Sequence, residues 1–264
     1  MNVAPGELRA VAVEAIREAG AILRAAFAVP QVVSHKGPEG LVTAADLDSE
    51  HKLVHIIRDT FPDHGIRSEE AGEVAQGADY TWFLDPLDGT DNFVRGIPYF
   101  GVAVSLVHDG RVTLSAVYQP VRDELYQAER NGGVVVNETP IRSAGEEKLE
   151  DAVIAFDHGY RLGKAAPAAA ELRASLSEQA RRGLWNWAPT LDWGLLARGA
   201  IDGMVAVGSV PEERHAGALL AAEAGAIVTN FRGEPFGLED ENLLAAASLS
   251  LHEALLELAA KAGL

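Results

Sequence analysis

Trp82-Phe83-Leu84-Asp85-Pro86-Leu87-Asp88-Gly89-Thr90-Asp91-Asn92-Phe93 is the stretch from which the rest of this chain is best read. From Tyr80 to Leu84 the residues are aromatic and apolar, which predicts a short buried strand. The run ends abruptly. Two carboxylates, Asp85 and Asp88, lie just past its end, with a proline between them that fixes the backbone. That arrangement aims both acids into one pocket, and their hard oxygen donors suit magnesium or manganese. Gly89 and Thr90 follow at the start of a helical turn. Unpaired backbone N–H groups there can point at an anion, and glycine permits close approach. Cation ligands beside an anion cradle are what metal-assisted phosphoryl transfer requires. Taken alone, the same residues also fit a turn in which both aspartates cap backbone groups.

Working outward, Leu8, Val11, Ala15, Ala19, Ile22 and Ala26 recur at helical spacing, so an amphipathic helix opens the chain and Pro30 ends it. A loop from Ser34 to Gly40 leads to Leu41-Val42-Thr43. A second helix follows, with Leu47, Leu53, Val54 and Ile57 on its apolar face. Downstream, Val102 to Val107 and Val112 to Tyr118 are strand-like runs around Asp109-Gly110, a hairpin signal. Leu125 to Ala128 and Val134 to Val136 predict two further strands. The charged segment Ser143 to Glu150 marks a boundary, dividing the chain into halves 1–145 and 146–264. Beyond it, strands are expected at Val153 to Phe156, Ala226 to Thr229 and Leu243 to Ala246. Helices are expected at Ala165 to Arg181, Ala216 to Ala224 and His252 to Lys261. Strands and helices mixed in this way predict layered sheets and helices of the α+β class, without a strict βαβ repeat.

The composition narrows the function. Lysine and arginine total 22 against 39 acidic residues, a formal net charge of −17. So acidic a surface repels nucleic acid and anionic membranes, and no partner of either kind is expected. The charge also serves plain solubility. There is no cysteine, which excludes disulfides, thiolate metal sites and cysteine nucleophiles. With no leader-like start and no apolar run of spanning length, a cytoplasmic protein is the expectation.

Asp85 to Phe93 reads Asp-Pro-Leu-Asp-Gly-Thr-Asp-Asn-Phe, which resembles the signature of the inositol monophosphatase family. Ser68-Glu69-Glu70 stands where family members carry Gly-Glu-Glu, although adjacent acids are ordinarily solvated surface. Leu41-Val42-Thr43-Ala44-Ala45-Asp46 is similar to the family's upstream Leu-Val-Thr-x-x-Asp. Asn131-Gly132-Gly133 and Glu223-Ala224-Gly225 fit as well. The resemblance implies a layered α/β/α/β/α sandwich, a homodimer, and Mg2+-dependent hydrolysis of a small soluble phosphate monoester (a sugar, histidinol, nucleoside or inositol phosphate) with two or three ions per site, Mn2+ being an alternative. By the same resemblance Glu69, Asp85 and the Leu87 carbonyl would hold a first metal, and Asp85 and Asp88 a second. Asp46 and Thr90 would orient the attacking water with help from Glu70, and the Gly89 and Thr90 amides would hold the phosphate. Thr43 to Asp46 also matches a helix capping box, and both roles can hold at once.

The second half departs from the family pattern. Members carry Trp-Asp, whose aspartate ligates the second metal; Glu212-Glu213 stands in that place. Glu213 is thus a replacement ligand, one methylene longer, or a surface glutamate. The substrate wall would include Trp187, Ala206 and His215. Trp185 and Trp187 fall where the sugar or inositol pocket is lined; they stack on a ring or, the preferred reading, belong to the core. Ala206 replaces the acid that contacts inositol hydroxyls, which argues against inositol phosphate as the main substrate. His215 touches the leaving group or is structural. The competing expectation is a family member that has lost turnover and acts as a metal- or ligand-binding regulatory protein.

Overall fold

The structure is a computed structural model that describes residues 5–29, 32–35, 40–69, 72–74, 77–160 and 162–264. The first half runs α1 (Pro5–Phe27), β1 (Val33–His35), β2 (Leu41–Thr43), α2 (Ala44–Thr60), β3 (Gly65–Ser68), β4 (Gly72–Val74), β5 (Tyr80–Asp88) and α3 (Thr90–Val94). It continues with β6 (Gly101–His108), β7 (Arg111–Gln119), β8 (Glu124–Glu129), β9 (Gly133–Val136) and β10 (Thr139–Pro140). The second half contains β11 (Val153–His158), α4 (Ala166–Gln179), β12 (Arg182–Leu184), α5 (Pro189–Ala197) and β13 (Gly203–Val207). α6 (Pro211–Glu223), β14 (Ile227–Asn230), β15 (Leu243–Ala246) and α7 (Leu249–Lys261) complete it.

Two sheets result. An eight-stranded sheet has the order β10-β9-β8-β7-β6-β5-β3-β4, and a five-stranded sheet has the order β12-β11-β13-β15-β14. α1 and α2 bury Ile16, Leu23, Leu53 and Ile57 against one face of the large sheet. α5 and α6 lie between the sheets, packing Leu191, Leu219 and Leu220 on the large one and Trp193, Leu196 and Ala221 on the small one. α4 and α7 cover the outer face of the small sheet. The order is the α/β/α/β/α sandwich. Each sheet buries both faces, so its strands read as apolar runs.

β5 positions the chemistry. It pairs parallel with β3 and antiparallel with β6, and the second ladder slips between Asp85 and Asp88. Pro86 has no N–H to give that ladder, so the strand bulges and both aspartates turn to one end of the sheet. Trp82, fully buried, fixes the strand from behind by donating its indole N–H to His64 Nδ1 at 3.0 Å.

The interleaved helices pack closely. A Cβ on Gly217 would lie 2.2 Å from the buried Trp193 indole. Gly217→Ala is therefore expected to lower unfolding stability by about 3 kcal/mol through overpacking, read as a fall in the denaturant midpoint. An unchanged midpoint would show that α5 and α6 can separate freely.

Candidate active site

At the end of β5, Asp85, Asp88 and Glu213 each offer a carboxylate oxygen, all within 4.8 Å of one another. Both aspartates are buried. Glu213 arrives from the first turn of α6, so the longer side chain reaches the aspartates across the seam between the sheets. Burial, then Glu69, Asp88 and Glu213, pushes the Asp85 carboxyl well above the usual carboxylate range. Asp88 and Glu213 are raised as well, burial being the first cause in each. Asp88 is partly relieved by Thr190, whose backbone N–H donates at 2.9 Å and whose hydroxyl donates to the same oxygen. Three close acids with only oxygen donors suit a hard divalent cation, which would remove the repulsion between them. The donor set fits the metal the sequence implies.

Beside this cluster the backbone turns. Gly89 adopts φ 85°, ψ 40° and leads into α3, a conformation that glycine takes without steric cost. The Thr90 hydroxyl lies 3.2 Å from Asp46 Oδ1 and 3.1 Å from the Leu87 carbonyl. Asp46 is fully buried. Its other oxygen accepts the Thr43 N–H at 2.9 Å and the Thr43 hydroxyl at 2.6 Å, closing the capping box of α2. One carboxylate thus starts a helix and holds Thr90. Leu87 donates its N–H to Asp85 Oδ1 at 3.1 Å. Glu69 borders the same cleft, while Glu70 lies outside the described residues.

Glu69, Asp85, Leu87, Asp88, Gly89, Thr90 and Glu213 line a cleft of about 570 Å³. The opposite wall differs from the sequence expectation. Trp185 and Trp187 are 44% and 45% exposed and border the cleft. They are not core residues; Trp193 and Trp82 are. The reason is the backbone: Trp187 has φ 57°, and the loop is tied down on both sides of the chain. Asn92 Nδ2 donates to the Asn186 carbonyl, and Asn186 Nδ2 donates to Asp192, each at 2.7 Å. Ala206 and His215 do not line the cleft. Ala206 is fully buried within β13, packed among interior residues. His215 is buried against Phe83 and Phe236, with Nε2 donating to the Leu238 carbonyl at 3.2 Å. Burial pushes its imidazole down to about 4, so it is held neutral.

Sequence reasoning missed Thr190, Asp157 and Asp192. Asp157 stands at the end of β11 and borders the cleft; burial and then Asp192 push it up to about 7. Burial pushes Asp192 up to about 6, against hydrogen bonds from Asn186 and from the Tyr99 hydroxyl at 2.6 Å. Single acids carry no spacing signal. The Thr190-Leu191-Asp192 cluster just after a proline could have flagged only a helix start.

A sequence profile of the inositol monophosphatase family matches residues 5–264. The chain belongs to that family. Among relatives, the protein named Nus factor SuhB of Haemophilus influenzae is 31% identical, covering 93% of each chain. The protein of the same name from Escherichia coli K12 is 32% identical over 84% of this chain and 85% of its own. In three dimensions the fold superposes on the extragenic suppressor protein suhB of Bartonella henselae with a TM-score of 0.90, at 28% identity and with 97% and 99% of the two chains covered. Inositol monophosphatase from Anabaena gives a TM-score of 0.84 at 29% identity, covering 95% and 94%. Members of the inositol monophosphatase family thus share both the sequence pattern and the layered architecture of this chain.

Proposed function

We propose that the protein is a magnesium-dependent phosphatase of small phosphate monoesters. The observation that supports this reading is the gathering of Asp85, Asp88 and Glu213 beside Gly89 and Thr90 in one cleft. Glu69, Asp85 and the Leu87 carbonyl would hold one cation, and Asp85, Asp88 and Glu213 another, with manganese as a substitute. When bound, such cations lower the pKa of the attacking water and neutralise charge on the leaving oxygen. The chain's own groups do the positioning. Thr90, held by Asp46, orients the water with Glu70 assisting, and the Gly89 and Thr90 amides receive the phosphate. In-line placement of this kind supplies a large share of the acceleration that a very slow uncatalysed hydrolysis needs. A cytoplasmic homodimer is part of the same proposal.

The test is phosphate release from a panel of small phosphate esters with and without magnesium, comparing wild type with Asp88→Asn. Magnesium-dependent release that Asp88→Asn abolishes is expected. A second reading, a regulatory binding protein on the same fold, is favoured by the name Nus factor that the relatives carry. It becomes the better one if no ester is hydrolysed at millimolar magnesium or manganese.

A further inference from the structure

The side chains of β11 alternate between two layers, as a strand's must. Ile154 and Phe156 pack outward under α4 and α7, while Ala155 faces α5 and α6. Asp157 therefore shares the inner face with Ala155, and its ladder partner Ala206 is packed there among interior residues. His158 turns to the other side and meets Phe156 and Trp185. The Asp157 carboxylate thus ends an apolar face, only 9% exposed, where that face opens into the cleft.

Glu213 enters the cleft by the neighbouring exit. β13 pairs with β11 as far as Val207 opposite His158, and the Gly159 N–H donates to the Val207 carbonyl at 2.9 Å. A Cβ on Gly159 would lie 2.0 Å from the Gly208 carbonyl, so the two strand exits touch. α6 starts at Pro211, with Glu213 in its first turn. The charges register this closeness. After burial, Asp157 is the first cause that raises the Glu213 carboxyl, ahead of Asp88 and Glu69, and it is the strongest repulsion on Asp88. The other acids are served by protein donors: Asp88 by Thr190, Asp85 by the Leu87 N–H, and Asp192 by Tyr99 and Asn186. Asp157 has the His158 backbone N–H, and among the described residues no side chain donates to it or pairs with it. A buried carboxylate served so poorly is costly unless a cation completes it.

We infer that Asp157 is a positioning residue of the metal centre, accepting a hydrogen bond from a water carried by the cation that Asp85, Asp88 and Glu213 would hold. The inference rests on the magnesium reading of the site and adds to it a fourth carboxylate, from β11. Asp157 lies outside the trio gathered within 4.8 Å, and a water spans such a gap, because magnesium gives up its hydration shell reluctantly. Groups that hold a metal's ligands in place in this way tune its affinity. Glu213 is long enough to let the ion shift, and the water that Asp157 holds restrains it on that side.

The experiment titrates manganese into metal-free protein, with the free ion read by electron paramagnetic resonance, so that no turnover is needed. Asp157→Asn is expected to bind manganese about ten- to a hundredfold more weakly than wild type. Without metal it should melt no lower than wild type, since a like charge is removed beside Glu213 and Asp88. Asp192→Asn is the control: it removes the same charge from the next buried acid, one already served by two donors, and should cost much less affinity. Equal affinity in wild type and Asp157→Asn would overturn the inference. An equal loss in Asp157→Asn and Asp192→Asn would overturn it too, since the general field would then be the cause. So would a metal-free Asp157→Asn that melts well below wild type or does not fold, which is the behaviour of a structural acid. If wild type itself binds no manganese, the metal reading of the site fails first and the inference falls with it.

Discussion

Asp85→Asn is expected to lose about a thousandfold or more of magnesium-dependent phosphate release and yet to melt higher than wild type in metal-free buffer. The two effects share one cause. Asp85 is 2% exposed and brings its carboxylate within 4.8 Å of those of Asp88 and Glu213. Without a cation these groups repel one another in a medium that screens them poorly. The amide keeps an oxygen for the Leu87 N–H, bonded at 3.1 Å in the wild type, and removes one of the crowded charges. Relief of roughly 1 kcal/mol corresponds to about 2–4 °C in melting temperature for a chain of this size. Magnesium reverses the order, because it stabilises only the protein that binds it, and by an amount that grows with its concentration. The loss of rate follows from weakened charge stabilisation, for which several kcal/mol is typical. Melting curves with and without magnesium, beside initial rates, check both parts. A variant that melts lower in metal-free buffer would mean that Asp85 is a structural anchor and not a strained ligand.

Gly89→Ala is expected to cost about a hundredfold in turnover and roughly 1–3 kcal/mol of stability. The backbone there has φ 85°, where any Cβ is strained. The new atom would also stand 3.0 Å from the Ala188 Cβ, 3.1 Å from the Tyr99 carbonyl and 3.2 Å from the Trp187 carbonyl. Two of those neighbours belong to the pinned tryptophan loop, so the turn cannot relax without moving the opposite wall. Gly96→Ala is the control: its φ is 73° and nothing lies within 4 Å of the added atom. It should show the backbone strain alone, with turnover close to wild type. If Gly89→Ala works as well as Gly96→Ala, these amides do not hold the phosphate.

Much of this was legible along the chain, and the exceptions have physical causes. The Asp109-Gly110 turn was readable because both residues take positive φ, 49° and 69°, as a tight hairpin demands. The long helices α1 and α2 each bury one face, so their period shows. α5 escaped notice because it is buried almost throughout, from Pro189 to Ala197, between two sheets; a helix covered on all sides has no polar stripe. β13 was missed for a related reason, being buried at every position. At the site, the segment from Asp85 to Thr90 spoke for itself because contiguous residues do the work. Glu213 could be named only by its place in the family pattern, and Asp157 not at all. The tryptophans were misread because hydrophobicity favours burial, whereas the loop that holds Trp187 at φ 57° keeps them at the surface.

Asp88 belongs to the eight-stranded sheet and Thr190 to the helix layer beyond it, and their hydrogen bonds span 102 positions of sequence. Glu213 is farther along still. During synthesis, a ribosome that has released the first sheet has not yet made α6, so Asp85 and Asp88 exist before Glu213 can crowd them. The crowding of the three acids arises only when α6 docks, late and at long range, which is the slow kind of contact to form. Divalent cation arriving at that moment would act as the latch on the last step of folding, so that the newborn protein's maturation, and not only its turnover, would be timed by the metal supply.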